Sequence, residues 1–168
     1  MISFAFALAA ASVAEQLAPA KNGMLQCQMP NLESKTCFSL SKVRQSGPST
    51  YAFDTEVLVD AAGPVTASMH STVFVRGSEI CEKMTGRDTA GATFASEGHP
   101  LSAAEAADYR TRLRGDFAGL VGHTVCTRNV PGDGGFETVV GTIDGRRVPE
   151  ADYAMKWVAL GEGWKVAP

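Results

Sequence analysis

The chain has 168 residues, 45% of them apolar and 20% charged, the composition of one globular domain with a core of its own. Fifteen basic residues against eighteen acidic ones leave a formal net charge of −3. That balance excludes a general polyanion-binding surface, which needs clustered Lys and Arg, so nucleic acid is not an expected partner.

The first fourteen residues, MISFAFALAAASVA, carry no charge. Their apolar run, Ile2 to Val13, has the length of a signal-peptide core and falls short of the roughly 20 residues that cross a bilayer. Small residues at Ser12 and Ala14 permit cleavage before Glu15, and Ala18 and Ala20 permit it before Lys21. No Lys or Arg precedes Lys21, so the usual basic leader is missing. The expected organisation is a signal peptide over 1–14, with cleavage as late as 20, and a single domain over 21–168. Such a protein is periplasmic or secreted and is not an integral membrane protein once processed.

Export places Cys27, Cys37, Cys81 and Cys126 in an oxidising space where disulfides persist. No pair has the Cys-x-x-Cys spacing of redox or zinc chemistry, so structural disulfides are expected and no metal or other cofactor is. Four cysteines allow three connectivities. We favour Cys27–Cys37 with Cys81–Cys126, because Pro30 and Asn31 are turn residues that bring the ends of the first loop together. Chain entropy gives about 3 kcal/mol for the short loop and about 4 for the long one, as upper values.

Next comes a hairpin, TYAFDTEVLVD (Thr50 to Asp60) followed by VTASMHSTVFVRG (Val65 to Gly77). Tyr51, Phe53, Val57 and Val59 alternate to one face of the first arm, and Ala67, Met69, Val73 and Val75 do so on the second. Pairing Phe53 with Val73 keeps both sets on one side and predicts Glu56 directly opposite His70 on the other. A carboxylate beside an imidazole orients the ring and raises its pKa, which makes Glu56 and His70 the candidate catalytic pair.

A strand is predicted over Glu79 to Met84, and a mostly looped stretch over Thr85 to Pro100 with a short strand near Thr93 to Ala95. The helix begins at Ser102, where SAAE forms a capping box with Glu105. Ala106, Tyr109, Leu113, Phe117 and Leu120 then recur at helical spacing as one apolar stripe. Three more strand-like segments, HTVCTRNV, FETVVGTI and AMKWVALGEGWKV, are separated by PGDGG and DGRRVPE. In the last of them Trp157 and Trp164, with Tyr153 nearby, are candidate ligand-binding aromatics. Strands, a helix and more strands predict an α+β domain: a mainly antiparallel sheet, stabilised by disulfides, with one long amphipathic helix packed on a face.

LQCQMPN…KTCFSL, VFVRGSEIC, LSAAEAADYR, TIDG and the terminal GWKVAP together resemble a group of small exported alphaproteobacterial proteins with four cysteines. That resemblance covers nearly all of the mature chain and implies export and the cysteine pattern, but no activity. The Trp164-Lys165 step is also similar to the closing strand of nuclear-transport-factor-2-like domains, which implies a cone around a pocket. HExxH, GxSxG and phosphate-cradling glycine loops are absent from the sequence. The expected function is therefore a non-enzymatic binding or structural domain of the cell envelope, partnered by a small apolar ligand or an envelope protein. The alternative is a small pocket hydrolase or isomerase using Glu56 and His70.

Overall fold

Two-residue alternation dominates the chain, and it produces strands long enough to curl. The structure, a computed structural model, describes residues 11–168. Residues 1–10 of the expected signal peptide lie outside the described residues. Two short helices, α1 (Val13–Gln16) and α2 (Ala18–Lys21), come first. They lead into β1 (Met24–Gln28), β2 (Thr36–Cys37), β3 (Ser39–Gly47), β4 (Thr50–Asp60), β5 (Val65–Arg76), β6 (Glu79–Lys83), β7 (Thr93–Ser96) and β8 (His99–Pro100). After α3 (Ala106–Ala118) follow β9 (Thr124–Pro131), β10 (Phe136–Ile143), β11 (Arg146–Arg147), β12 (Tyr153–Ala159) and β13 (Lys165–Val166).

Eight of these strands form a ring. β1, β3, β4, β5, β6, β9, β10 and β12 each pair antiparallel with the next. β12 then returns to β1, from Met24 opposite Ala159 to Gln28 opposite Met155. This is an up-and-down barrel in chain order, and it overturns the expected α+β class. The helices have only 4, 4 and 13 residues, and the sheet closes on itself instead of offering one face to a helix. Closure arises because the first and last ring strands satisfy each other's backbone groups, which an open sheet leaves exposed at its edges.

Inward and outward positions alternate along the ring strands, apart from register shifts at Gln45/Gly47 and Leu58/Asp60. Val43, Tyr51, Val73, Ile80, Val139, Met155 and Trp157 point in and form the main core. Charged Lys42, Arg44, Asp54, Glu56 and Arg128 occupy the alternate, outward positions of their strands. That is the reverse of a lipid-facing barrel, whose outward positions are apolar.

One end of the ring is plugged by the N-terminal helices. Val13 and Leu17 are buried among the inward residues of the strands. The Ser12 hydroxyl and the Glu15 carboxylate form a reciprocal capping box that holds α1 in place. The buried Gln16 donates from Nε2 to the Ser78 carbonyl at 2.9 Å and accepts from the Asn129 backbone N–H at 2.8 Å, tying the plug to two walls. Cleavage after Ala14 would remove Val13 and the cap, and cleavage after Ala20 would remove Leu17 and Gln16 as well.

The hairpin of β4 and β5 keeps the expected faces and differs in register by two residues. Tyr51 lies opposite Val73, Phe53 opposite Ser71, and Asp54, not Glu56, opposite His70. The cause lies at the turn, where the pairing shifts between Leu58 and Asp60. There the Asp60 carboxylate accepts the backbone N–H groups of Ala62 and Gly63, at 3.0 and 3.5 Å, and sets a four-residue connection.

The favoured disulfide pairing is the one observed, Cys27–Cys37 and Cys81–Cys126. The first encloses a loop whose Asn31 pairs with Thr36, and packs outside the ring against Val158. The second joins directly opposed residues of β6 and β9. Two disulfides fit an oxidising, extracytoplasmic setting, and no helix among the described residues is long and apolar enough to cross a membrane.

Because Leu17 is 2% exposed at the centre of the plug, Leu17→Ala is expected to lower unfolding free energy by about 2–5 kcal/mol in urea titration. A loss under about 1 kcal/mol would show that the plug is not part of the cooperative unit.

Candidate functional site

An eight-stranded barrel has an interior just wide enough to be filled by side chains or to hold one small ligand. Here the two halves divide those outcomes. Around the plug the interior is filled. Beyond Phe53 and Ile80 it opens into a chamber of about 320 Å³ lined from β1, β3, β4, β5, β6, β9 and β12.

The wall of this chamber mixes apolar side chains, Phe53, Val73, Ile80 and Met84 among them, with a cluster of hydroxyls, amides and carboxylates. The Ser39 hydroxyl donates to Gln28 Oε1 at 2.8 Å, and the hydroxyls of Ser41 and Thr55 share a hydrogen bond at 2.9 Å. Gln26, Ser71, Thr127 and Tyr153 complete the polar lining. Burial pushes the Tyr153 phenol up to about 12, so it remains a neutral hydroxyl throughout the physiological range.

The group of greatest chemical interest is Glu82. It follows Ile80 and precedes Met84 on the inward face, opposite Val125 of β9. None of the six ion pairs among the described residues includes it. Burial, assisted by the nearby Asp88 carboxylate and opposed by the Ser71 hydroxyl, pushes its carboxyl up to about 7. Asp88 also lines the chamber and accepts a hydrogen bond from the Thr85 hydroxyl at 3.0 Å. The chamber lining contains no Lys or Arg. A second inward carboxylate, Glu137, lies in the filled half, where burial raises its pKa and the Asn129 amide, donating at 2.6 Å, opposes that rise.

Helix α3 covers the open end. β4 and β5 run on past the ring, β7 pairs with the start of β5, and α3 packs Tyr109, Leu113 and Phe117 against Val57, Val59 and Met69 on the inner face of this extension. The Ser102–Glu105 box is present just ahead of the helix, with Ser102 N–H donating to Glu105 at 2.8 Å. Tyr109 and Arg112 reach Asp60, at 3.4 and 3.9 Å, which fixes the helix to the hairpin turn. Between α3 and β4 lies an apolar cleft of about 670 Å³ bounded by Phe38, Val57, Val59 and Leu113. Met69 and Phe117 line both the cleft and the chamber and form the neck between them.

The residues singled out from sequence are distributed differently from expectation. His70 bonds through Nδ1 to Asp54 at 2.7 Å, and Asp54 also accepts from Arg44 at 2.6 Å. These hydrogen bonds, His70 first, lower the pKa of Asp54. Glu56 lies opposite Ser68, so the two members of the candidate catalytic pair are not partners, and the His70 side chain is 58% exposed on the outer face. Tyr153 lines the chamber, and Trp157 is packed in the filled half. Trp164 lies outside, against the Cys27–Cys37 cluster, donating from Nε1 to Glu162 at 3.2 Å. Glu79, Cys81 and Cys126 come close together, but both sulfurs are committed to a disulfide and are not free thiolate ligands.

No known protein family, curated protein or solved structure matches this chain.

Glu82 makes stability depend on pH in a defined direction. Its carboxyl titrates higher in the folded chain than the ordinary 4.5, so the fold binds the proton more tightly than the unfolded chain does. The resulting stabilisation is complete below about pH 4.5 and is lost as pH rises through 7. After allowance for the solvent that reaches this half-buried group, the loss is on the order of 1–3 kcal/mol. Glu82→Gln is expected to flatten this part of the stability profile, measured by denaturant titration between pH 4.5 and 8; an unchanged slope would place the titration elsewhere.

Proposed function

We propose that the protein is a non-enzymatic carrier of one small amphipathic molecule in the periplasm or outside the cell. The observation that carries this reading is the division of the interior. A chamber that carries hydroxyls, amides and two carboxylates among its apolar side chains ends against the filled half of the barrel, and its neck leads into a cleft under α3 lined mostly by apolar residues. A ligand with a polar head and an aliphatic body matches that order, head inward. The volumes, about 320 and 670 Å³, fall in the range of small-molecule sites. Closed antiparallel barrels of this size hold such ligands because the ring is rigid and the interior side chains can be varied without disturbing the strand pairing. Two disulfides suit an oxidising compartment, where the ring would be exposed to proteases and dilute partners.

Catalysis through Glu56 and His70 has little in its favour, because both lie outside the barrel and His70 is engaged by Asp54.

Saturable one-to-one binding of a fluorescent amphipathic probe to the full chain is the expected result, with displacement by unlabelled amphiphiles of matching length. Met69→Trp, which fills the neck, is expected to weaken that binding at least about tenfold, equivalent to about 1.4 kcal/mol. Circular dichroism would establish that the barrel persists in the variant. Non-saturable binding, or full affinity in the folded neck variant, would overturn the carrier reading.

A further inference from the structure

Apart from His70, which is paired with Asp54, and the Tyr153 phenol, the ionisable groups of the chamber are carboxyls, and this bears on which head group it takes. We propose that the chamber selects ligands with a cationic head, such as a primary amine, with Glu82 as the counter-ion and Asp88 adding negative potential beside it. This inference rests on the carrier reading and deepens it. Glu82 is placed on the chamber wall by the alternation of β6, with Ile80 and Met84 on either side of it along the same face. Ser71 of β5 and Asp88 act on it directly, Val125 of β9 lies opposite it, and Thr127 of β9, Tyr153 of β12 and Thr89 share the chamber lining with it. His70 of β5 also borders the space, with its Nδ1 hydrogen-bonded to Asp54 on the outer face. Lys83, next in sequence, turns away and donates to the Gly122 carbonyl.

A carboxylate held in this way lacks the countercharge that would stabilise its ionised form. An ammonium group entering the chamber supplies it, while the surrounding hydroxyls and amides accept the remaining N–H bonds. A carboxylate head meets the opposite situation, with two acids and no cation to receive it. An alcohol head is accepted and gains only neutral hydrogen bonds.

The test uses three probes of equal chain length, decylamine, decanol and decanoate, titrated into the full chain by calorimetry from pH 5 to pH 8. Decylamine is expected to bind at least about tenfold more tightly than decanol at pH 8. Its affinity should fall about tenfold between pH 8 and pH 6, as Glu82 takes up a proton and ceases to be a counter-ion. Decanol should show no such slope. Glu82→Gln should remove both the slope and the advantage of the amine, and Glu82→Asp should restore part of each, which separates a charge effect from a packing defect. Decanol or decanoate binding as tightly as the amine at pH 8 would overturn the cationic preference and leave the carrier reading standing. Failure of all three probes to bind would overturn the carrier reading itself.

Discussion

The pairing of β1 with β12 is the constraint on which the rest of the molecule depends. Residues more than 120 positions apart in the chain, such as Gln28 and Met155, are brought into register there, and that contact converts a meander into a ring. Closure removes the edges of the sheet and fixes which side of every strand faces inward. The plug, the chamber and the outward charges are all consequences of that parity. If β1 were displaced by one residue, Gln26 and Gln28 would leave the chamber and the Cys27–Cys37 disulfide would be turned into it.

Chamber and plug answer the same geometric problem in opposite ways. A ring of eight strands encloses more volume than small side chains can occupy. At one end Val13 and Leu17 enter from the N-terminal helices to fill it, with Gln16 satisfying backbone groups that the helices would otherwise cover. At the other end serines, threonines and glutamines stand among the apolar residues, and the volume remains. Filling gives the barrel its stability, while the chamber gives it a site. Glu82 lies on the side of this boundary where its carboxyl is half-removed from water without being paired, the usual physical origin of a group that titrates near neutrality.

Much of the local structure can be read from the chain, and the long-range structure cannot. The alternation in Tyr51, Phe53, Val57 and Val59 identifies the inward face of β4, and the capping box at Ser102 and Glu105 locates the start of the helical segment. The cysteine pairing also follows from loop closure. The two-residue error in hairpin register came from Asp60, whose turn hydrogen bonds lengthen the connection without altering the apolar pattern. That is enough to exchange Glu56 for Asp54 as the partner of His70. Closure itself has no local signal, because β1 is five residues long and ordinary in composition. Glu82 belongs to no motif, and its signal in the sequence is that of an acid flanked at two-residue spacing by Ile80 and Met84 in a predicted strand.

The position of α3 separates access from integrity. Its cleft is bounded on one side by a helix attached through turns, and on the other by the extension of β4 and β5 beyond the ring. A molecule passing the neck between Met69 and Phe117 breaks none of the backbone hydrogen bonds that join the eight strands. For the proposed carrier, loading and release would then draw on one helix and a few side chains, so that residence time and unfolding time could evolve independently. A change in the α3 contacts would then act on exchange while the ring, crosslinked at Cys81–Cys126, keeps its own strand pairing.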